Sequence, residues 1–444
     1  MLKRMMALLC CLLLLAPAAG AEGIPQLLQF TQKATEREYV RKDVYVQSTY
    51  PTTANAAVNQ EMRALIDQMT AEGRHYLPTG KTNLMPAYLD VGATIFRTGQ
   101  KWMSFLTIAR VAYEREQTYV AMDARCYDME TGAQLYLTDL FSPESPAWEM
   151  MESAVREQLT AYFTGLAPDE EVLNVLCSRE NLEKMGFTLT PAKLALHFPA
   201  ASLYPGKHTL MHVKLYYSKI REYMTEEARA NTDCRAYKLI ALTYDDGGAR
   251  GSSMNAMEKL RLYGANATFF IVGKNNAKNH DVICREHDAG YAVESHNYDH
   301  VYEGHTVEKV AAWRQKMDRD LNAIIGTRAT YMRAPGGKYQ RFINSKAGLP
   351  LIQWSVISGD AGSGNTTGNP RAIAGAVINN AEDGAVVLMH DLNSRVGEYT
   401  EMILPELEKR GYLCVTVDEL FDYYGVELQP DTVYYSCEEE AKLK

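Results

Sequence analysis

The pattern of apolar and polar residues divides the chain near residue 237. Before that point, segments with alternating β-branched and aromatic residues are mixed with segments whose apolar residues recur every three or four positions. These are the periods of a half-buried strand and of a helix that lies on a sheet. The strand-like segments are 44–50 and 118–123, and the helix-like segments are 54–72 and 147–163. The first half therefore predicts an α+β fold.

From residue 237 onward, strand-like runs alternate regularly with helix-like segments. Seven apolar runs have the length of a strand: 238–243, 267–272, 291–294, 329–332, 351–356, 385–389 and 412–417. Helix-like segments such as 307–325 and 399–410 lie between them, and Gly411 ends the latter. Repeated strand–helix units predict an α/β architecture with a parallel sheet, either a barrel or a doubly wound sheet.

The composition, with 46% apolar and 23% charged residues, is that of a globular protein. The length of 444 residues favours two or three domains. The N-terminus differs, because Lys3 and Arg4 precede the apolar run 5–15 and small residues of the A-x-A form follow at 16–21. This order is typical of a secretory signal peptide. The run is shorter than the roughly 20 residues of a membrane-spanning helix. Export is predicted, with a membrane anchor only if the segment is retained.

Charge argues against nucleic acid as a partner. The formal net charge is −9, and it becomes −11 without Lys3 and Arg4, since residues 1–21 contain no acidic side chain. The chain has no long basic run, whereas nucleic-acid-binding proteins present clustered lysine and arginine.

Candidate catalytic side chains follow two of the strand-like runs. Asp245 and Asp246 end one apolar run, and His296 and His300 follow the run that ends at Glu294. Alone, Asp-Asp-Gly is more often a turn, and two histidines four residues apart occur by chance on surface helices. Together these residues form a candidate divalent-metal site with one carboxylate left over, which is the arrangement that metal-assisted hydrolysis requires.

Three further motifs end later strand-like runs: 333–337 (Arg-Ala-Pro-Gly-Gly), 354–360 and 388–391 (Leu-Met-His-Asp). In a (β/α) barrel the active site forms at the C-terminal ends of the strands. With the two earlier motifs, this ordered set resembles the NodB-like polysaccharide deacetylases of carbohydrate esterase family 4, over residues 237–427. The resemblance implies a distorted (β/α) barrel that hydrolyses N-acetyl groups of amino sugars.

The resemblance also implies a role for each side chain. Three residues would bind the metal, usually Zn²⁺: Asp246, His296 and His300. Asp245 would be the general base for a metal-bound water, held in place and ionised by Arg333. His390 would protonate the departing amine, and Asp360 would orient it. Five residues would contact the substrate: Tyr244, Pro335, Gly336, Trp354 and Leu388.

Two motifs depart from the family pattern. Asn297 stands where the family has serine or threonine, and the fourth motif lacks its first aspartate and its tryptophan, which are replaced by Ile357 and Ala361. Ala361 removes an aromatic wall from the acetyl pocket. Trp354 is a candidate replacement, although a tryptophan at that place is more often part of the core. These departures bear on substrate preference more than on chemistry.

The first half resembles another family, the extracytoplasmic DUF4163 and DUF3298 modules. Five segments carry the resemblance: Tyr50-Pro51, Val58-Asn59-Gln60, 136–141 (Tyr-Leu-Thr-Asp-Leu-Phe), 187–191 (Phe-Thr-Leu-Thr-Pro) and Phe198-Pro199. These motifs are mostly structural, and no catalytic set accompanies them. The resemblance implies a binding or positioning domain, with a protein as its candidate ligand.

The predicted organisation follows from these resemblances: signal peptide 1–21, linker 22–37, DUF4163/DUF3298-like α+β domain 38–223, linker 224–236, deacetylase domain 237–427 and C-terminal tail 428–444. The expected function is an exported, cell-wall-associated, metal-dependent deacetylase of peptidoglycan, acting on N-acetylglucosamine or N-acetylmuramic acid. Chitooligosaccharides and acetylxylan are alternative substrates. A non-catalytic wall sensor is the rival from another class, although every residue of the predicted metal and base set is present.

Overall fold

The structure is a computed structural model that describes residues 24–83, 85–99, 101–247, 250–302, 306–361 and 368–437. The predicted signal peptide, residues 1–21, lies outside the described residues, and so do residues 438–444 of the predicted tail. Within the described ranges, no helix combines the length and the apolar character needed to cross a membrane.

The first half contains a mainly antiparallel sheet in the order β1-β3-β4-β5-β6-β7, with β2 beside β3. Its strands are β1 Phe30–Ala34, β2 Glu38–Arg41, β3 Val44–Thr53, β4 Ala87–Arg97, β5 Trp102–Tyr113, β6 Glu116–Asp128 and β7 Gln134–Leu135. Helix α1, Ala56–Gly73, crosses from β3 to its parallel neighbour β4. Asn55 caps this helix, and its residues Val58, Met62 and Ile66 recur at helical spacing and are buried against the sheet. Both predicted strands and both predicted helices of this half are present.

A second layer completes the first half. It contains the antiparallel strands β8 Thr188–Leu189, β9 Lys193–Pro199 and β10 Leu210–Tyr216. Its helices are α2 Leu137–Leu140, α3 Ala147–Ala161, α4 Glu170–Cys177, α5 Arg179–Lys184, α6 Tyr217–Ile220 and α7 Glu226–Asn231. The predicted linker 224–236 is ordered, because Thr225 caps α7 and Met224 and Ala228 are buried in the apolar cluster around Trp148. The predicted domain boundaries stay a prediction.

The second half is built on parallel strands: β11 Lys238–Asp246, β12 Thr268–Ile271, β13 Ala292–Ser295, β14 Leu351–Ile352, β15 Val356–Ile357, β16 Ala385–His390, β17 Tyr412–Val415 and β18 Val433–Tyr434. Its helices are α8 Arg250–Tyr263, α9 His280–Asp288, α10 Val307–Ile325, α11 Tyr339–Asn344, α12 Pro370–Asn380, α13 Val396–Lys409 and α14 Val417–Tyr423. Short 3₁₀ turns lie at Arg74–Tyr76, Ala200–Ser202, Arg221–Tyr223, Gly273–Lys278 and Pro335–Gly337.

Strand β11 is central in this sheet. It pairs with β16 on one side, and with β12 and, nearer its start, β17 on the other. Both faces are apolar: Ile240 and Leu242 join the cluster under the helices, while Leu239 and Ala241 join a separate cluster on the opposite face. Burial on both faces explains the continuous apolar runs in the sequence.

The predicted strands 329–332 and 351–356 are only partly formed. Met332 makes single parallel bridges to Ser295 and Leu351. The second run splits because its backbone changes partner: Gln353 N–H donates to Tyr434 O at 2.7 Å, and Ser355 N–H donates to Val386 O at 3.0 Å. The mixed α/β character is confirmed, whereas closure of the sheet into a barrel stays a prediction.

Candidate metal centre and active site

The candidate side chains lie at the C-terminal ends of parallel strands. Asp245 is in register with His390 on the neighbouring strand β16, so both side chains project from the same face. Asp246 follows with a φ of +82°, which interrupts the alternation of the strand. This left-handed residue directs both carboxylates toward one site, and aspartate is among the few residues that tolerate it.

Asp246, His296 and His300 form a compact group. Each offers one ligand atom, and these atoms lie within 4.8 Å of one another. His300 Nε2 is 3.1 Å and His296 Nε2 is 3.7 Å from Asp246 Oδ1. Two imidazoles and one carboxylate at these separations form a suitable donor set for a divalent metal with open positions for water and substrate.

The orientation of His296 fits metal binding. Its Nδ1 lies 3.0 Å from Arg333 O, and because a carbonyl oxygen only accepts, Nδ1 carries the proton. The lone pair is therefore on Nε2, which faces Asp246 and His300. Burial lowers the pKa of His296, so the neutral, ligating form is favoured. Burial alone would raise the pKa of Asp246, but the hydrogen bond with His300 and the nearby imidazoles lower it overall.

Asp245 is held by a fully buried arginine. Arg333 Nη1 donates to Asp245 Oδ1 at 2.7 Å and to Thr243 Oγ1 at 2.6 Å, and its other nitrogens donate to backbone carbonyls of residues 352 and 353. Four hydrogen bonds fix the guanidinium, so it holds the Asp245 carboxylate in one orientation. The second oxygen, Oδ2, lies 3.7 Å from His296 Nε2, beside the metal group. A carboxylate in this place can accept a proton from a water at the metal group.

His390 and Asp360 form a second pair. His390 Nδ1 lies 2.8 Å from Asp360 Oδ1, and the His390 backbone N–H donates to Asp360 Oδ2 at 2.7 Å. Burial alone would lower the pKa of His390, but the hydrogen bond and charge of Asp360 raise it to about 9. His390 is therefore protonated near neutral pH and can act as a general acid.

Two further residues, to which the sequence motifs assign no role, support the site. Tyr399 OH donates to Asp360 Oδ2 at 2.6 Å. Asp391 accepts from Gly247 N–H at 2.9 Å and from Ser253 Oγ at 2.5 Å, which ties the turn after Asp246 to α8. Burial raises the pKa of Asp391 to about 7. Asp391 is part of the Leu-Met-His-Asp motif, although the motif gives it no role. Tyr399 lies in the helix-like segment 399–410, where the sequence gives no signal of a role at the site.

Some of the residues predicted to contact substrate lie at the site, and others do not. Tyr244 is fully buried on the helix-covered face of β11, stacked on Phe269, so its side chain is not brought to the site. Leu388 is buried on the same strand face as His390. Trp354 is half-buried, with its ring 5.7 Å from the Arg333 guanidinium, which places it at the wall of the site rather than in the core.

The turn that carries Pro335 and Gly336 lies beside the metal group. Pro335 is buried and Gly336 is exposed with a φ of +59°. A Cβ on Gly336 would lie 2.6 Å from the ring of Tyr302, and that ring packs edge-on against His300 at 5.1 Å. In the altered motif, Ile357 is 59% exposed, and Ala361 is exposed too. The substrate-binding roles of these residues stay predictions.

Comparison with known proteins identifies a family likeness in the second half of the chain. Residues 232–350 match the family described as Polysaccharide deacetylase. The chain is 28% identical over 322 residues to the peptidoglycan-N-acetylglucosamine deacetylase PgdA of Listeria monocytogenes, across 71% of this chain and 67% of that protein. It is 31% identical over 203 residues to a bifunctional xylanase/deacetylase of Pseudobutyrivibrio xylanivorans, across 44% of this chain and 33% of that protein.

A third relative is the peptidoglycan-N-acetylmuramic acid deacetylase PdaC of Bacillus subtilis, which is 28% identical over 184 residues, across 41% of this chain and 38% of that protein. The family match contains the metal group, Asp245 and Arg333, and it ends before Asp360. It does not include the first half, whose resemblance to the DUF4163 and DUF3298 modules stays a prediction.

Proposed function

Because the protein carries a polysaccharide deacetylase domain and is a hydrolase that acts on amide bonds, we propose that it removes N-acetyl groups from the amino sugars of peptidoglycan. The observation that carries the proposal is the side-chain geometry: a metal-ligand group with a buried carboxylate beside it and a protonated histidine in register with that carboxylate. Amide hydrolysis needs these components, since amines leave poorly unless they are protonated.

The metal group defines where the acetyl carbon reacts. Asp246, His296 and His300 would hold a divalent cation, with Zn²⁺ the best match to two imidazoles and one carboxylate. When bound, the cation supplies Lewis acidity, which polarises a carbonyl and makes water more acidic.

The chain's own residues move the protons. Asp245 accepts the proton of the attacking water at Oδ2, while Arg333 keeps the opposite oxygen, Oδ1, engaged and the carboxylate in one orientation. His390 gives a proton to the departing amine from Nε2, since its Nδ1 is engaged by Asp360. The base and the acid project from neighbouring strands, so the scissile bond lies between them.

Peptidoglycan is favoured over the other polymers by the relatives. PgdA and PdaC act, by their names, on N-acetylglucosamine and N-acetylmuramic acid of peptidoglycan. The sequence pattern of residues 1–21 supports export to the cell wall, where this polymer lies. Chitooligosaccharides and acetylxylan are the alternative substrates, the latter favoured by the likeness to a bifunctional xylanase/deacetylase.

The first half is proposed to position the deacetylase domain or to bind a protein at the wall. Ion pairs between the halves support positioning: Arg97 Nη2 is 2.9 Å from Glu408 Oε2, and Lys193 Nζ is 3.0 Å from the fully buried Glu419 Oε1. A half held by such contacts fixes the direction in which the catalytic face points.

The test is acetate release by the purified protein from peptidoglycan, chitin oligomers and acetylxylan, with and without a chelator. We expect chelator-sensitive release from peptidoglycan that added Zn²⁺ restores. Mass spectrometry of muramidase-digested product identifies the deacetylated sugar. The variant Asp245→Asn is expected to lose at least about 100-fold in activity, the usual contribution of general-base catalysis, while it keeps its metal.

Two results would count against the proposal. If zinc-loaded protein released no acetate from any of the three polymers, the wall-sensor function would be favoured. If Asp245→Asn retained full activity with metal bound, Asp245 would not be the base.

A further inference from the structure

A second cavity lies apart from the candidate active site, between the first-half sheet and helices α8 and α9. Its volume is about 370 Å³, which falls within the range of small-molecule sites. Strands β3, β4 and β5 form one wall, and residues 254–261 and 285–291 form the other. The residues of the metal group do not line it, and neither do Asp245, Arg333, His390 and Asp360.

The cavity is positively charged in a chain that is acidic overall. Its ionisable lining consists of four arginines and two acids: Arg37, Arg110, Arg261, Arg285, Asp90 and Glu258. These groups carry a net charge of +2, against a formal −9 for the whole chain. The excess of arginine is therefore local and favours an anion.

Arg110 is the unusual member of this set. It is only 6% exposed, and its Nε and Nη1 are enclosed without a hydrogen-bond partner. Burial, followed by the charge of Arg285, lowers the pKa of Arg110. A buried cation without a partner is costly, and guanidinium N–H groups that line a cavity supply donors for an oxyanion.

Nearby carboxylates do not satisfy Arg110. Asp90 faces it directly across the β4–β5 pairing but forms its ion pair with Arg285 at 3.1 Å instead. Asp288 is buried and already accepts from Gln117 Nε2, Thr209 Oγ1 and the backbone N–H of residue 210. Arg285 Nε also lacks a partner, so guanidinium donors of two arginines are left open in one place.

We propose that this cavity binds a phosphate ester. A phosphate monoester carries about two negative charges near neutral pH, which matches the net charge of the lining, and planar guanidinium groups bind phosphate bidentately. The cavity is larger than a phosphate ion requires, and the stacked rings of Tyr45 and Tyr88 provide an apolar surface for an organic group. The ester is either a free small molecule, which as a monoester carries both charges, or the repeating unit of a phosphate-containing polymer, which as a diester carries one.

Because the cavity walls come from both halves, a ligand there would stabilise their contact. Ligand that binds only the folded protein raises its unfolding temperature. The proposal does not depend on the deacetylase function, since binding is measured without substrate and without acetate release.

The test is calorimetric titration of the full chain with inorganic phosphate, glycerol 3-phosphate, acetate and glycerol. We expect both phosphates to bind, glycerol 3-phosphate more tightly, with acetate at least tenfold weaker and glycerol without effect. A further titration with poly(glycerol phosphate) distinguishes the two kinds of ligand. Tighter binding of the polymer than of glycerol 3-phosphate identifies the ligand as a polymer, and tighter binding of glycerol 3-phosphate identifies it as a small molecule.

The variant Arg110→Gln is expected to weaken phosphate binding at least tenfold, roughly the loss of one charge-assisted hydrogen bond. Arg125→Gln is the matched control, because Arg125 lies on β6 of the same sheet but outside the cavity, paired with Asp123 and Glu61. The control should bind phosphate like the wild type.

Absence of phosphate binding, or equal binding by Arg110→Gln and wild type, would overturn the proposal. If Arg110→Gln does not fold, Arg261→Gln serves as a second cavity variant, since Arg261 is half-buried. Independently, wild-type crystals soaked in tungstate should show an anomalous peak beside Arg110, and a peak only elsewhere would exclude the site.

Discussion

At the scale of single residues, the protonation state of His390 depends mainly on the carboxylate of Asp360. Asp360 raises the pKa of His390 to about 9 although burial acts in the opposite direction. We predict that Asp360→Asn removes the largest effect that raises the pKa of His390, so that this pKa falls toward its ordinary value of about 6.5, with Asp245 and Asp246 still acting to raise it. Since the acid must be protonated, the alkaline limb of kcat/KM should move down by two pH units or more, and activity at pH 7.5 should fall about tenfold or more.

The control for this experiment is Tyr399→Phe. It removes one hydrogen bond to Asp360 but leaves the negative charge beside His390. The alkaline limb of this variant should stay well above that of Asp360→Asn. An unchanged pH profile for Asp360→Asn would show that His390 is not the general acid.

The sequence predicts the principal site residues because their chemistry restricts residue type. Proton transfer and metal binding need carboxylates and imidazoles at strand ends, and the structure brings Asp245, Asp246, His296 and His390 together. The supporting contact from Tyr399 could not be predicted, since it depends on how α13 packs. The buried side chain of Tyr244, by contrast, follows from strand alternation, because Tyr244 and Asp245 are consecutive on β11 and face opposite sides of the sheet.

At the scale of elements, the end of β11 depends on a glycine. Gly247 has a φ of +64°, and a Cβ there would lie 2.9 Å from the Cα of Ile271, which is backbone and cannot rotate away. We predict that Gly247→Ala destabilises the protein by roughly 1–3 kcal/mol. Zn²⁺ affinity should fall as well, because the change displaces the adjacent Asp246.

Gly251→Ala is the matched control in the neighbouring helix α8. No atom lies within 4 Å of its added Cβ, and its φ is not positive. This variant should gain about 0.5–1 kcal/mol, the usual difference between alanine and glycine in a helix. Thermal unfolding and zinc titration of both variants provide the measurement, and equal effects would contradict the steric argument.

Elements are predicted from sequence where apolar periodicity is regular. The runs that become β11, β12, β13, β16 and β17 form strands as expected, because they are buried on both faces. Periodicity does not predict pairing. The run 351–356 has the composition of one strand, yet its backbone bonds first to Tyr434 and then to Val386.

At the scale of the whole molecule, three buried histidines join the two halves. His197 Nδ1 lies 2.7 Å from His212 Nδ1, His212 Nε2 donates to His287 O, and His287 Nε2 donates to the backbone carbonyl of residue 210. Because carbonyl oxygens only accept, His212 Nε2 and His287 Nε2 carry protons. His212 Nδ1 then accepts from His197, whose Nε2 accepts from Thr188. This chain of hydrogen bonds requires a neutral His212 ring, because His212 Nδ1 must accept, and burial favours the neutral form of His197 and His287 as well.

Neutral rings make the contact between the halves sensitive to acid. Burial lowers the pKa of His197 to about 3 and that of His287 to about 4, and it lowers the pKa of His212 as well. In the unfolded chain these groups titrate near 6.5. Between those values the unfolded state binds more protons than the folded state, so their contribution to stability is complete above pH 6.5 and declines as pH falls toward 4.

We predict that each of these three histidines contributes a loss of about 1 kcal/mol to the free energy of unfolding, measured with urea, between pH 7.5 and 5.5. His390, Asp391 and Glu294 act in the opposite direction, because their raised pKa values favour the folded state at lower pH. The variant His197→Gln removes one of the three groups, so its free energy of unfolding at pH 5.5, relative to that at pH 7.5, should be about 1 kcal/mol higher than in the wild type. An equal change between the two pH values in the variant and the wild type would mean that His197 does not carry the pH dependence.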